Sequence, residues 1–340
     1  MKRRSIVLNF DELHEDMIRL IGQSRLNVLG LHNWDESLRF DLKINRMIDC
    51  MNSKQGKALI EKMKSCDVDI EYEIHALSWL LPRDMFDSRP ELFRMNEKGE
   101  RVPDANCCVT HPESLAIIQE NSVTLAKQLP PTSNRYFLWQ DDTKPWCHCA
   151  NCRDLSSSDQ NLWLMNHILE ALKSVNPQAE LAFLAYMETL RVVPSQIQPA
   201  EGIFLEITGP VIHHQQEKDL QSAHANALFQ RAVSDQLQFF GAKGAHVLEY
   251  WMDVSLYSNW TKPAVKLPFD PEKIRKDLQY YASLGIESAA SFGCFTDQAY
   301  FEMYGEPPIV EYSRLLEQAS RPEQAGRPGQ AGRPAPDHPA

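Results

Sequence analysis

A chain of 340 residues with a formal charge of −11 lacks the basic footprint of a nucleic-acid binder, and none of its apolar runs approaches the roughly 20 residues that span a bilayer. With 43% apolar and 24% charged residues it has the make-up of an ordinary globular protein with a large core. That length suits one α/β barrel as well as two smaller domains.

The opening Met1-Lys-Arg-Arg4 looks like a signal-peptide start, but Ser5–Phe10 runs straight into Asp11 and Glu12. No h-region of about 7–15 apolar residues follows. The expectation is therefore a cytoplasmic protein, or an exported one if the sequence begins upstream. Ser5–Phe10 reads as a first strand, and Leu13, Met17, Ile18 and Ile21 as one helix face ending at Gly22. Asn27–Trp34 is a second strand that leaves His32 and Trp34 at its end. A helix over Gly56–Cys66 precedes a third strand, Ile70–His75, whose long loop carries Trp79. Pro112–Leu129 is a helix with proline in its first turn, where the missing N–H costs little.

Tyr136–Trp139 is a fourth buried strand and runs into Asp141 and Asp142. Further strands follow at Glu180–Tyr186, Gly202–Ile207, His246–Trp251 and Ile286–Cys294. Helical patterns lie between and after them at Leu162–Val175, Ala223–Phe240, Pro271–Leu284 and Gln298–Gln318. Short apolar runs alternating with helices imply parallel strands joined by right-handed crossovers. Eight such units without a second core predict a single-domain (β/α)8 TIM-type barrel over 1–320, with an open doubly wound sheet as the alternative. No Gly-rich phosphate loop follows any strand, which disfavours nucleotide binding. From Arg321 the five-residue unit Gln-Ala-Gly-Arg-Pro repeats without apolar periodicity, so 321–340 reads as a disordered tail.

In such a barrel the C-terminal strand ends share one mouth. The residues expected there are His32, Trp34, His75, Trp79, Trp139, Asp141, Asp142, Tyr186, Glu206, Glu249, Tyr250, Trp251 and Asp253. Carboxylates mixed with flat aromatic faces suit a carbohydrate. One protonated acid serves the leaving oxygen, a second carboxylate supports oxocarbenium charge, and indoles cover the apolar faces of sugar rings. The structural alternative for Glu249 is a buried acid paired with a basic side chain.

The run Glu249-Tyr-Trp-Met-Asp-Val-Ser-Leu-Tyr-Ser-Asn-Trp260, with Phe269-Asp-Pro271 and Asp277–Gly285, resembles the bacterial domain-of-unknown-function family 4838. So does the Asp141-Asp142 pair followed by Trp146-Cys-His-Cys-Ala-Asn-Cys152. The resemblance extends from about Asn9 to Leu316. It implies a relationship to glycoside hydrolase family 163, whose members are endo-acting β-N-acetylglucosaminidases on complex N-glycans. By analogy with other barrel glycosidases, Asp142 matches the acid/base after strand four and Glu249 a nucleophile after strand seven. In the substrate-assisted scheme the sugar's acetamido carbonyl attacks, and Asp141 and Asp142 divide orientation and acid work. His32, Trp34, His75, Trp79, Trp139, Tyr186, Glu206, Tyr250 and Trp251 are the expected sugar contacts. A non-catalytic carbohydrate-binding barrel and a different, metal-assisted barrel hydrolase are the competing readings.

No cofactor is expected for catalysis. Cys147, Cys149 and Cys152 supply three soft ligands for a structural zinc, which ordinarily takes four. The fourth is not visible locally, though Cys107, Cys108 or His111 could provide it. A buried thiol cluster, or a disulfide in an exported protein, is the alternative. Cys50, Cys66 and Cys294 read as core or unpaired thiols, and His213, His214 and His246 as surface or packing residues. The sequence sets neither the sugar, the linkage nor the oligomeric state.

Overall fold

The computed structural model describes residues 1–33, 40–142, 145–209 and 227–319. Trp34, His213, His214, the start of the Ala223–Phe240 helix and the 321–340 tail lie outside the described residues. Eight strands close into one parallel barrel in sequence order: β1 (Arg3–Asn9), β2 (Val28–His32), β3 (Asp69–His75), β4 (Arg135–Trp139), β5 (Glu180–Ala185), β6 (Ile203–Thr208), β7 (His246–Glu249) and β8 (Ser288–Ser291). The (β/α)8 barrel is therefore the architecture. The seam is made where Arg3 pairs with Ser288 and Arg4 with Ala289, and is continued by a bridge from Val7 to Phe292.

Because successive strand residues face opposite sides, every strand divides its side chains between two cores. Ile6, Leu8, Leu29, Leu31, Ile70 and Ile74 point outward and are buried against helices such as Glu15–Gln23 and Lys54–Lys64. The opposite set, including Val7, Phe137, Trp139, Leu184, Phe204 and Leu248, fills the barrel itself. Two differences from the expected elements have local causes. The last helix is split into Gln298–Tyr304 and Ile309–Gln318. Gly305 adopts a left-handed φ of 79°, and Pro307 and Pro308 follow it, so no continuous helix can form. Helix Ser157–Lys173 begins five residues earlier than its apolar pattern, because Ser156 caps it by accepting from the Asp159 N–H at 3.0 Å; the polar first turn hides this start.

The barrel interior is unusually polar toward its N-terminal end. Arg3 and Ser133 both donate to Glu71 at 2.5 Å, and the Arg135 guanidinium lies 3.9 Å over Phe204. One layer higher sit Glu73, Glu206 and His246, all buried. Burial pushes Glu206 up to about 8, and burial together with the neighbouring Glu206 holds Glu73 well above the usual carboxylate range. His246 is held well below its ordinary value, by burial first and then by Arg135 and Arg3. Each shift is toward the neutral form, the state that the low dielectric favours. Space for Glu73 comes from Gly30, where an added Cβ would meet Glu73 Oε1 at 2.4 Å and Val7 Cγ2 at 3.0 Å. Gly30→Ala should therefore lower unfolding free energy by about 1–3 kcal/mol in denaturant titration. Adding Glu73→Ala should recover part of that loss, because it vacates the contested volume.

Candidate active site

The C-terminal mouth holds a pocket of about 700 Å³, counted to its open rim. His32 from β2, His75 from β3 and Trp139 from β4 form one side. Beyond them come Asp142, Tyr186 and Thr208, then Tyr250, Asp253, Trp260 and Phe292. Alternation selects most of these. Leu184, Thr208, Leu248 and the chain beyond β8 at Phe292 share the inward parity with the interior core.

Trp139 is the floor. Its ring centroid lies 5.6 Å from His32, 5.2 Å from His75 and 6.4 Å from Phe292, and its indole N–H donates to Glu206 Oε2 at 2.7 Å. Glu206 thus does not line the pocket; it fixes the indole from the layer beneath. His32 Nδ1 donates to the Glu73 carbonyl and His75 Nδ1 to the Gln140 carbonyl, each at 2.5 Å. A carbonyl only accepts, so a neutral ring in either place carries its proton on Nδ1 and offers Nε2 as an acceptor. Burial, reinforced by His75, lowers His32 to about 3, so it stays neutral at any working pH.

The adjacent acids after β4 part company. Asp142 faces the pocket, where its Oδ1 is buried without a protein partner. The Tyr186 hydroxyl lies beside it; burial first, and then the Asp142 charge, hold that phenol protonated. Asp141 turns the other way. Its Oδ2 accepts from Arg83 Nη2 at 2.5 Å and from the Asn106 N–H at 2.7 Å, while its own N–H donates to Asn106 Oδ1 at 3.0 Å. Arg83 also donates to the Asn106 carbonyl at 2.8 Å. Asp141 is therefore a clamp on the β3 loop, and no turn brings it into the pocket beside Asp142, as sharing the substrate-assisted work would need.

Glu249 also departs from expectation. Leu248 and Tyr250 line the pocket, so the residue between them points outward, into the helix layer. There Glu249 Oε1 accepts from the Tyr281 hydroxyl at 2.5 Å. Gly209 makes room for it: a Cβ at that position would lie 2.1 Å from Glu249 Oε2. The buried acid thus accepts from a phenol of helix Pro271–Ser283. Trp251 shares this outer destination, donating to Asp277 Oδ2 at 3.0 Å. Trp79 donates to Asn45 Oδ1 at 2.8 Å and packs on the outer core. Neither tryptophan lines the pocket. His32, His75, Trp139, Asp142, Tyr186 and Tyr250 are brought together there.

The second pocket carboxyl is Asp253. Its Oδ1 caps the short helix Val254–Tyr257, accepting from the Ser255 N–H at 2.9 Å and the Ser255 hydroxyl at 2.6 Å. Burial outweighs those bonds and raises Asp253 to about 7. It ranked only as one of many mouth candidates in the sequence; the Asp-x-Ser cap beginning a short helix is the local signal that fixes its place. Trp260 closes the Glu249–Trp260 run in the sequence. It is 40% exposed at the rim, and both Asn259 and Trp260 have left-handed φ, 50° and 59°. Two consecutive non-glycine residues in that region cost energy and are held by their surroundings, a pattern common at binding sites.

Cys147, Cys149 and Cys152 are buried on the loop between Asp142 and helix Ser157–Lys173, and Cys108 reaches them from the β3 loop. Cys294 lines the pocket, whereas Cys50 is exposed. From the placement of Glu249, Glu249→Gln should keep activity, since the amide oxygen can still accept from Tyr281. Glu249→Ala should cost about 1–3 kcal/mol of stability by leaving the Tyr281 hydroxyl buried and unpaired. Denaturant unfolding of the two variants, alongside turnover, checks both statements.

The family described as Domain of unknown function (DUF4838) matches residues 17–304. No curated protein matches the sequence. Among solved structures, the β-N-acetylhexosaminidase of Bacteroides fragilis NCTC 9343 superposes with a TM-score of 0.55 at 14% identity, over 93% of this chain and 65% of that one. A tri-modular family 5 (subfamily 4) endo-β-1,4-glucanase from Bacillus licheniformis gives 0.55 at 12% identity, over 94% and 59%. The family 5 glycoside hydrolase PbGH5A of Prevotella bryantii B14 gives 0.51 at 10%, over 91% and 87%. This chain thus spans slightly under two thirds of the first of these and more of the last. No helix among the described residues is long and apolar enough to cross a membrane. Identities this low speak to fold alone, the (β/α)8 barrel that these enzymes also have; with most of its length matched by the family, the chain belongs to the DUF4838 family.

Proposed function

We propose that the pocket hydrolyses a glycosidic bond of an N-acetylated or related sugar, using Asp142 and Asp253 as its working carboxyl groups. The observation that carries this reading is an aromatic-walled pocket lined by two carboxyl groups, one of which, Asp253, is raised by burial. Asp253 is raised to about 7 by burial, so a large fraction is protonated near neutrality and can give its proton to the leaving oxygen. Asp142 has a buried oxygen without a protein partner, available to a ligand. Trp139 and Trp260 supply aromatic pocket wall for sugar rings, and the Nε2 atom of His32 offers an acceptor to a hydroxyl. The glycoside-hydrolase fold is consistent with this chemistry.

This assignment reverses the role expected for Asp142. With Glu249 outside the pocket, Asp142 is the group left to support positive charge at the anomeric carbon. Two routes use it. It can attack that carbon directly, or it can orient a 2-acetamido group whose carbonyl attacks instead, with the Tyr186 hydroxyl beside it as a donor. The 2-substituent of the substrate separates them: the second route requires acetamido, and the first accepts hydroxyl.

Leaving-group dependence tests the pair. Asp253→Asn should reduce turnover of substrates with poor leaving groups by about 10²–10⁴-fold and largely spare activated aryl glycosides. Asp142→Asn should cripple both types. Asparagine caps helices as well as aspartate does, so Asp253→Asn should also remain folded. Its stability above pH 7 should rise relative to wild type. The raised folded-state value means that wild-type stability is greatest below the unfolded carboxyl's pKa, about 4, and declines as pH climbs through about 7; the variant has no such slope. Mild, equal losses in both variants on both substrate types would leave a carbohydrate-binding barrel as the better reading.

A further inference from the structure

We infer that Cys108, Cys147, Cys149 and Cys152 form a four-sulfur zinc site that ties the β3 loop to the β4 loop beside the pocket. Their ligand atoms all lie within 4.8 Å of one another. The Cys108 sulfur is 3.7 Å from that of Cys149 and 3.9 Å from that of Cys152. A tetrahedral ion with zinc–sulfur bonds of about 2.3 Å sets its sulfurs about 3.8 Å apart, so these separations are those of a coordination shell. They are far too long for a disulfide, which joins sulfurs at about 2.05 Å. The three-cysteine run left one ligand unassigned; Cys108, 39 positions before Cys147 by the sequence numbering, completes the set.

The surroundings are those of a thiolate cluster. The Met95 N–H donates to the Cys147 sulfur at 3.3 Å, and Arg101 Nη1 lies 3.9 Å from the same atom. The Thr110 hydroxyl is 3.2 Å from the Cys152 sulfur. Four thiolates around one divalent ion carry two net negative charges, and a guanidinium with two hydrogen-bond donors offsets that charge. The loop is also held in shape from behind. Gln160 Oε1 accepts from the Cys147 N–H at 3.1 Å, while its amide donates to the carbonyls of Cys147 and Cys152 at 3.1 and 3.3 Å. A thiol quartet without metal has no need of a cation beside it. The set is closed by four protein ligands with no open position for substrate, which makes the role structural. Binding converts four thiols to thiolates and releases their protons to solvent.

The joined loops matter because they bracket the acids. Cys108 follows Asn106, which clamps Asp141, and Cys147 follows Asp142 by five positions. The ion would therefore brace the segment that aims Asp142 into the mouth.

Elemental analysis of the full-length protein, purified without chelator, should find about one zinc per chain. Cys108→Ser should lose it and lower Tm, whereas Cys294→Ser, outside the cluster, should retain it. Should Cys108→Ser fail to fold, cobalt(II) added to metal-stripped wild type gives the same answer: thiolate charge-transfer bands with the intense visible bands of a tetrahedral four-sulfur site. Wild-type protein whose four cysteines alkylate freely in the folded state, or which holds iron or a disulfide at these positions, would overturn the inference. So would zinc that survives Cys108→Ser unchanged.

Discussion

Closure of the parallel barrel is the constraint on which everything else depends. It brings eight strand ends, drawn from residues far apart in sequence, to one mouth, and the two-residue period then decides which of their side chains enter it. The consequence is strict. Leu248 and Tyr250 reach the pocket and Glu249, between them, cannot. Trp139 reaches it because Phe137, two residues earlier, already faces the interior. Only where the strand has ended, as at Asp141 and Asp142, does turn geometry take over from alternation.

Beneath the mouth, the interior is organised to hold the floor still. Glu206 receives the Trp139 indole N–H, Glu73 presents its carbonyl to His32, and Gly30 yields the volume that the Glu73 side chain occupies. Burial raises both acids of this layer and so favours their neutral forms, with Glu206 also serving as the hydrogen-bond partner of the indole. Asp253 is shifted by the same physics in the pocket wall, where burial competes with a helix cap and wins. Desolvation of carboxyl groups thus acts in two layers, beneath the pocket and in its wall.

Much of this was legible in the sequence. Alternating apolar runs and helical faces carried the barrel, because parallel strands buried on both sides must read as short apolar runs. The strand-end rule also found His32, His75, Trp139, Asp142, Tyr186 and Tyr250. What it could not supply was direction at each end. Glu249 and Trp251 lie in the same run as Tyr250, and only the register that places Leu248 inside tells them apart. Asp141 was indistinguishable from Asp142 until the β3 loop, with Arg83 and Asn106, was seen to fold over it. Cys108 was named among three possible partners for the Cys147–Cys152 run, and no local spacing could choose it, since a long loop had to close first. Asp253 was hidden for a different reason: its raised proton affinity comes from burial by distant segments.

The central claim is that Asp253 supplies the proton while Asp142 supports the reacting carbon. The pH dependence of kcat/KM on a 2-acetamido glycoside with a poor leaving group tests it most directly. The account predicts a descending limb near pH 7 in the wild type, because deprotonated Asp253 cannot act as an acid. In Asp253→Asn that limb should vanish, leaving a low rate that no longer falls across it. An unchanged limb in the variant would contradict the account and assign the proton to another group.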